Sequence, residues 1–176
     1  MVGLLAVPGH LTPAIRPFDP AADLDWAEAL VDREFGGRMQ ARRGAFVDAL
    51  GGDGLVAVSG DARIGLLCWQ LEAEHAAEIT CLAVLPQAQR RGVGSALLEA
   101  AAAAFRLLAV ERVWLVTTNE NLAALALYQK AGYRLSAVRL GAIDEIRRTL
   151  KPAIPEIASN GIAIHDELEL EQALSG

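Results

Sequence analysis

Aromatic side chains make up only 5% of this 176-residue chain, cysteines number two and histidines three. No apolar run approaches the roughly 20 residues needed to span a bilayer. Each shortage excludes something. Cys68 and Cys81 lie in apolar, strand-like runs, so reduced structural thiols are expected and a disulfide framework is not. His10, His75 and His165 have no mutual spacing that suits a metal and read as surface residues, so no metal is expected. Positive charge is also short, with a formal net charge of -6. Arg90-Arg91 and Arg147-Arg148 are isolated pairs rather than a basic face, which argues against duplex nucleic acid as a partner. Met1 to Val7 is apolar but too short for a signal core and lacks a basic leader, so no membrane is expected and the address reads as cytoplasmic.

What the chain does have is core. Apolar residues are 53% and charged residues 22%, a globular balance that excludes a disordered regulator. The length suits one domain. Residues 1–13, with Pro8, Gly9 and Pro13, read as a flexible lead-in, and 14–176 as a single domain.

Ala14 to Phe18 is expected as a first strand, followed by an acidic helix start at Asp19 with Leu24, Ala27, Leu30 and Val31 on one stripe and an end near Gly36-Gly37. Arg38 to Leu50 is expected as a second helix, interrupted by Gly44. Leu55 to Ser59, Gly60-Asp61 and Arg63 to Glu72 then read as two strands joined by a tight turn. In the next strand, alternation puts Glu78, Thr80, Leu82 and Val84 on one face and Ile79, Cys81, Ala83 and Leu85 on the other. Both faces are largely apolar, as for a strand covered on both sides. Val93 to Leu108 is an apolar helix, Val113 to Thr117 a buried strand, Asn119 to Ala131 a helix ended by Gly132, and Tyr133 to Leu140 a strand. After Gly141 come a short amphipathic helix, Ile143 to Leu150, and an alternating stretch, Ile162 to Leu170, read as a last strand added to the sheet. A homodimer could form by extending the sheet through that tail strand. The element order argues α/β (α+β) with a mixed sheet, since the early hairpin forbids a purely parallel one.

Chemistry concentrates at the turn after the central strand. Gln89-Arg90-Arg91-Gly92-Val93-Gly94 opens an apolar helix, so its backbone NH groups sit at the positive end of a helix dipole, a ready site for phosphate or pyrophosphate. Gly92 and Gly94 are read as allowing a ligand to approach, and Arg90, Arg91 and Ser95 can add contacts to phosphate oxygens. A Rossmann unit fits poorly, because Gly92-x-Gly94-x-x-Leu97 lacks the third glycine, and a Walker loop lacks its Gly-Lys-Ser/Thr.

That hexapeptide, together with Asn121-Leu-Ala-Ala-Leu-Ala-Leu-Tyr-Gln-Lys-Ala-Gly-Tyr further on, resembles the GNAT superfamily of N-acetyltransferases. The two stretches are similar to that family's Gln/Arg-x-x-Gly-x-Gly/Ala and Asn-x-x-Ala-x-x-Leu-Tyr-x-x-x-Gly-Phe/Tyr motifs. The resemblance implies a mixed, mostly antiparallel central sheet with helices on both faces. It also implies transfer of an acetyl group from acetyl-CoA, the acyl-donor cosubstrate, to a primary amine on a small molecule or a peptide lysine, by direct attack in a ternary complex.

Carried over residue by residue, the resemblance makes Glu78, fourteen positions before Gly92, the base, as in the histone-acetylating branch. The plain alternative is a strand-end glutamate facing water. The protein-N-terminus branch uses a glutamate twelve positions before the tyrosine, and here that position is Val116. Tyr128 would protonate or hydrogen-bond the departing sulfur, against the alternative of a core tyrosine. Leu82, Ala83 and Val84 would act through their backbone, with a splay or bulge in the strand aiming an NH at the thioester carbonyl. Gln89, Arg90, Arg91, Gly92, Val93, Gly94 and Ser95 would hold the diphosphate. Asn121 would contact the cofactor arm or cap its helix, a job for which Asn119 competes. Glu72, Glu74, Glu167 and Glu169 lie in strands that could border the cleft and favour a cationic amine. The competing functional class is a catalytically weak acetyl-CoA-binding regulatory or interaction module.

Overall fold

A computed structural model describes residues 12–73 and 75–174. The expected lead-in therefore lies almost wholly outside the described residues, as does Glu74. The elements in chain order are strand β1 (Ala14–Pro17), helix α1 (Pro20–Phe35), strands β2 (Met39–Arg42), β3 (Ala45–Asp48), β4 (Asp53–Ser59), β5 (Ala62–Glu72) and β6 (Ala76–Val84), helix α2 (Val93–Leu107), strand β7 (Arg112–Thr118), helix α3 (Leu122–Lys130), strand β8 (Arg134–Arg139), helix α4 (Ala142–Thr149) and strand β9 (Glu167–Ala173). Seven strands form one sheet in the order β1-β4-β5-β6-β7-β9-β8. All neighbours are antiparallel except β6 and β7, so the sheet is mixed and mostly antiparallel, as expected.

Helix α1 starts where the sequence signals it. The Asp19 carboxylate accepts from the Ala21 NH, Pro20 occupies the first turn, and Ala27, Leu30 and Val31 are buried. These side chains join Val56, Leu66, Cys68, Cys81 and Ala83 in a core on one face of the sheet. On the opposite face α2 lays Val93, Leu97, Ala101 and Phe105 against Leu55, Leu67, Trp69 and Ile79. Burying each large apolar side chain there stabilises by about 1.5–3 kcal/mol. Trp69 and Phe105 meet edge to face with ring centroids 5.2 Å apart. Helices thus cover both faces of the sheet.

Three expectations need correction. Arg38 to Leu50 is not a helix but the hairpin of β2 and β3, paired from Met39↔Asp48 to Arg42↔Ala45. Its two-residue turn puts Arg43 at φ 52° and Gly44 at φ 73°, the left-handed pair that favours a tight hairpin over a helix. The alternation assumed for β6 also breaks. Trp69 pairs with Ile79 and Cys68 with Cys81, so Thr80 is an extra, bulged residue. The bulge sends Ile79 to the α2 core and Cys81 to the α1 core, whereas strict alternation had put them together. The tail strand, finally, is not an edge. β9 lies between β7 and β8, so its edges are already paired and the route to a homodimer through that strand is closed.

Candidate functional site

The parallel register of β6 with β7 stops at Glu78↔Trp114, while β7 continues in register with β9 as far as Thr118↔Glu167. From Ile79 onward one edge of β6 therefore has no strand beside it among the described residues. A cavity of about 190 Å³ opens in this splay. On one side it is lined by Ile79, Thr80, Cys81, Leu82, Val116, Thr117, Thr118, Asn121, Ala124 and Tyr128, and on the other by Phe35, Gln40, Ala41, Arg42, Ile143 and Glu167. The splay is present, but the bulge lies at Thr80 rather than at Leu82 to Val84, which pair in regular register with Leu67 to Gly65 and run along the open edge.

At the far end of β6 the chain turns through a single 3-10 turn at Pro86–Ala88, leaves Gln89 extended, and caps α2 with Gly92 at φ 90° and no side-chain cap. Arg90 is also left-handed, at φ 56°. The first NH groups of α2 are thus left for something other than the helix. The residues of this turn have different tasks. The Gln89 side-chain amide donates to the Val84 carbonyl at 3.0 Å, bracing the turn against β6. Val93 is buried at 1% exposure, so only its backbone faces outward. Ser95 is exposed at the first turn of α2. Gly94 is where α3 comes close, since a Cβ there would stand 3.0 Å from Leu127 Cδ2. Its smallness serves the packing of α2 against α3.

Tyr128 is the one buried residue of α3, and its ring packs edge-on against Tyr133 with centroids 5.9 Å apart. It lines the cavity, and burial pushes its phenol well above the usual range, so it stays protonated at neutral pH. Asn121 caps α3 by accepting from the Ala124 NH at 3.2 Å and also lines the cavity. Asn119 does not compete for the cap. Its side-chain Oδ1 accepts from the NH groups of His165 and Asp166, tying the segment before β9 to the end of β7.

Glu78 is placed differently from a strand-end glutamate facing water. It is 6% exposed, is not on the cavity wall, and has Oε1 3.1 Å from Nε of Arg42. Burial raises its pKa, opposed first by Arg42. Arg42 is on the cavity wall, donates from Nη2 to the carbonyl of bulged Thr80 at 2.9 Å, and is itself buried. The Thr80 hydroxyl in turn donates to the Ala49 carbonyl at 2.9 Å, so the bulge fastens the hairpin over the splay.

Sequence reasoning missed this hairpin's part in the site. Beside Arg42, the Arg43 NH donates to both oxygens of Glu167, at 3.0 and 3.2 Å. The Arg43 guanidinium lies 4.2 Å from the centre of the Trp114 ring and 3.0 Å from Glu169, which also meets Arg139 at 2.9 Å. Glu167 and Glu169, 1% and 4% exposed, are therefore not the solvated strand residues that their parity suggests. The available signal was Arg42-Arg43-Gly44 itself, two cations beside a glycine that favours a tight turn. Glu72 spends its carboxylate on the Trp114 indole NH at 2.8 Å and does not line the cavity.

Residues 20–133 match the family model described as the acetyltransferase (GNAT) family. The chain belongs to that family. It is 42% identical over 111 residues to the uncharacterized protein YxbD of Bacillus subtilis strain 168, covering 63% of this chain and 67% of that one. To the uncharacterized YdhI of the same strain it is 37% identical over 117 residues, covering 66% and 71%. Among solved structures, the fold is similar to an IAA acetyltransferase from Bacillus cereus ATCC 14579, with TM-score 0.73 and 24% identity over 93% of this chain and all of that one. It is also similar to a GNAT acetyltransferase from Elizabethkingia anophelis with acetyl-CoA bound, with TM-score 0.66 and 23% identity over 92% of this chain and 98% of that one. Among the described residues no helix is long and apolar enough to cross a membrane.

Proposed function

We propose that this chain transfers the acetyl group of acetyl-CoA to a primary amine by direct attack within a ternary complex. The observation that carries the reading is the continuity of the open edge of β6 with the uncapped start of α2 at one end and the cavity holding Tyr128 at the other. The NH groups of Gly92 to Ser95 would take the diphosphate, flanked by Arg90 and Arg91. Leu82 to Val84 would pair with the extended arm and offer an NH to the thioester oxygen, and Asn121 would meet the arm near its end. When the C–S bond breaks, the Tyr128 hydroxyl supplies a hydrogen bond or a proton to sulfur. Glu78, the base implied by the family resemblance, would act from behind Arg42 rather than on the acceptor.

One observation favours the weaker alternative, a binding module with little turnover: the carboxylate expected to be the base is already committed to an arginine. A thiol-release assay with acetyl-CoA against polyamines, amino acids, aminoglycosides and peptides separates the two. Calorimetric binding of acetyl-CoA with no thiol release from any amine would leave the module. An absence of binding heat would remove both readings.

A further inference from the structure

If the acetyl-transfer reading holds, on which this step rests, an acceptor entering the cavity meets one carboxylate on its wall among the described residues. That carboxylate is Glu167, at the start of β9, opposite Thr118 of β7 and Arg139 of β8 in register. We infer that Glu167, rather than Glu78, receives the proton of the acceptor ammonium, and that the acceptor is a small alkylamine whose hydrocarbon body lies on Phe35, Ala41 and Ile143. The first ground is position. Glu167 and Tyr128 line the same cavity, whereas Glu78 does not and is paired with Arg42.

The second ground is charge. Arg42 shares the wall with Glu167. The charge of Arg42 is compensated by Glu78, which leaves the Glu167 carboxylate to attract an ammonium and to take its departing proton. The third is room. A volume of about 190 Å³ admits the acetyl end and a short amine. Glu167 already receives one NH, from Arg43, across its two oxygens. This fixes the side chain and leaves lone pairs for a second donor.

The step balances as follows. The ammonium gives one proton to the Glu167 carboxylate, and the freed nitrogen lone pair forms the C–N bond to the acetyl carbonyl. The C–S bond then breaks, its electron pair leaving on sulfur. The second nitrogen proton ends on that sulfur by way of the Tyr128 hydroxyl, which gives its own proton and regains one. The Glu167 proton passes to solvent, so the products are the amide, the free thiol and one proton.

The test compares wild type, Glu167→Gln and Glu78→Gln in thiol release from acetyl-CoA, with propylamine, an ammonium at neutral pH, and with methoxyamine, neutral there. Glutamine can still accept the Arg43 NH, so the hairpin contact survives. Thermal midpoint and acetyl-CoA titration check that fold and donor binding do too. The expected result is a loss of about 100-fold for Glu167→Gln with propylamine, a methoxyamine rate within a few-fold of wild type, and a smaller propylamine loss for Glu78→Gln. An active wild type with an indifferent Glu167→Gln, or one that loses both amines equally, overturns the assignment and leaves acetyl transfer standing. A wild type inert toward both amines, but binding acetyl-CoA, overturns the transfer reading and this assignment with it.

Discussion

The Nε of Arg42 stands 3.1 Å from Oε1 of Glu78, both side chains under 10% exposed, yet neither atom makes a hydrogen bond in good geometry. The pair is bound by charge in a place where charge is costly. Burial pulls the Arg42 pKa down and pushes that of Glu78 up, each partner opposing the other's shift. Removing one member leaves the other buried and uncompensated. Arg42→Met is therefore expected to destabilise by about 3 kcal/mol. Adding Glu78→Gln should recover most of that, because no lone charge then remains. Urea unfolding of the two singles and the double gives the coupling. Additive losses would show that the two charges do not depend on each other.

Tyr128, to which the proposed transfer gives the departing sulfur, lines the cavity from a helix whose other residues are largely exposed or only partly buried. Because burial raises its pKa, it remains a proton donor through the neutral range, and no basic limb near neutrality should trace to it. Tyr128→Phe is expected to lower turnover by about 100-fold with acetyl-CoA titration unchanged. Turnover equal to wild type would reduce Tyr128 to a core residue packed on Tyr133.

Much of this site was legible because it depends on local chemistry. The Gly92 turn, the Asn121 cap and Tyr128 each belong to a single local element: Gly92 opens α2, Asn121 caps α3 and Tyr128 lines the cavity from α3. The hairpin and the bulge were not. Arg38 to Leu50 carries good helix formers on either side of Gly44, and only tertiary pairing across the Arg43-Gly44 turn makes it a hairpin. Thr80 leaves no mark in the sequence, because an extra residue in an apolar strand reads the same in or out of register. Glu167 is held by the backbone NH of Arg43, 124 positions away in the sequence, and Glu169 by the Arg43 guanidinium, 126 positions away, together with Arg139. Local pattern cannot report such partners.

Gly94 lets α2 and α3 approach at the start of the site, where a Cβ would meet Leu127 Cδ2 at 3.0 Å. Leu127 directly precedes Tyr128, so a shift of α3 moves the phenol relative to the cavity. Gly94→Ala gains some helix propensity but must displace Leu127, for a net cost of about 1 kcal/mol. The sharper expectation is functional: turnover should fall more than acetyl-CoA affinity, since the backbone NH groups remain. Leu127→Ala in the same chain makes room for the methyl and should restore part of the lost rate. A double variant no faster than Gly94→Ala would place the cause elsewhere.

Far from the cavity, Asp23 of α1 is fully buried between Arg16 and Arg63, with contacts of 2.6 and 2.7 Å. It also accepts from the Asp19 NH at 2.9 Å, joining β1, α1 and β5. Its hydrogen bond with Arg16, more than any other contact, holds its carboxyl well below the usual carboxylate range. In the unfolded chain the same carboxyl titrates near the ordinary aspartate value of about 3.9. Above that pH both forms are ionised and the stabilisation is fully present. As pH falls below it the unfolded chain takes a proton that the folded one refuses, and the stabilisation is lost. Asp23→Asn is expected to lower stability at neutral pH by about 3 kcal/mol and to flatten the acid limb. Urea midpoints measured at about pH 7, 4 and 3 should therefore converge for wild type and variant as the solution is acidified, and two parallel curves would sink this account of the clamp.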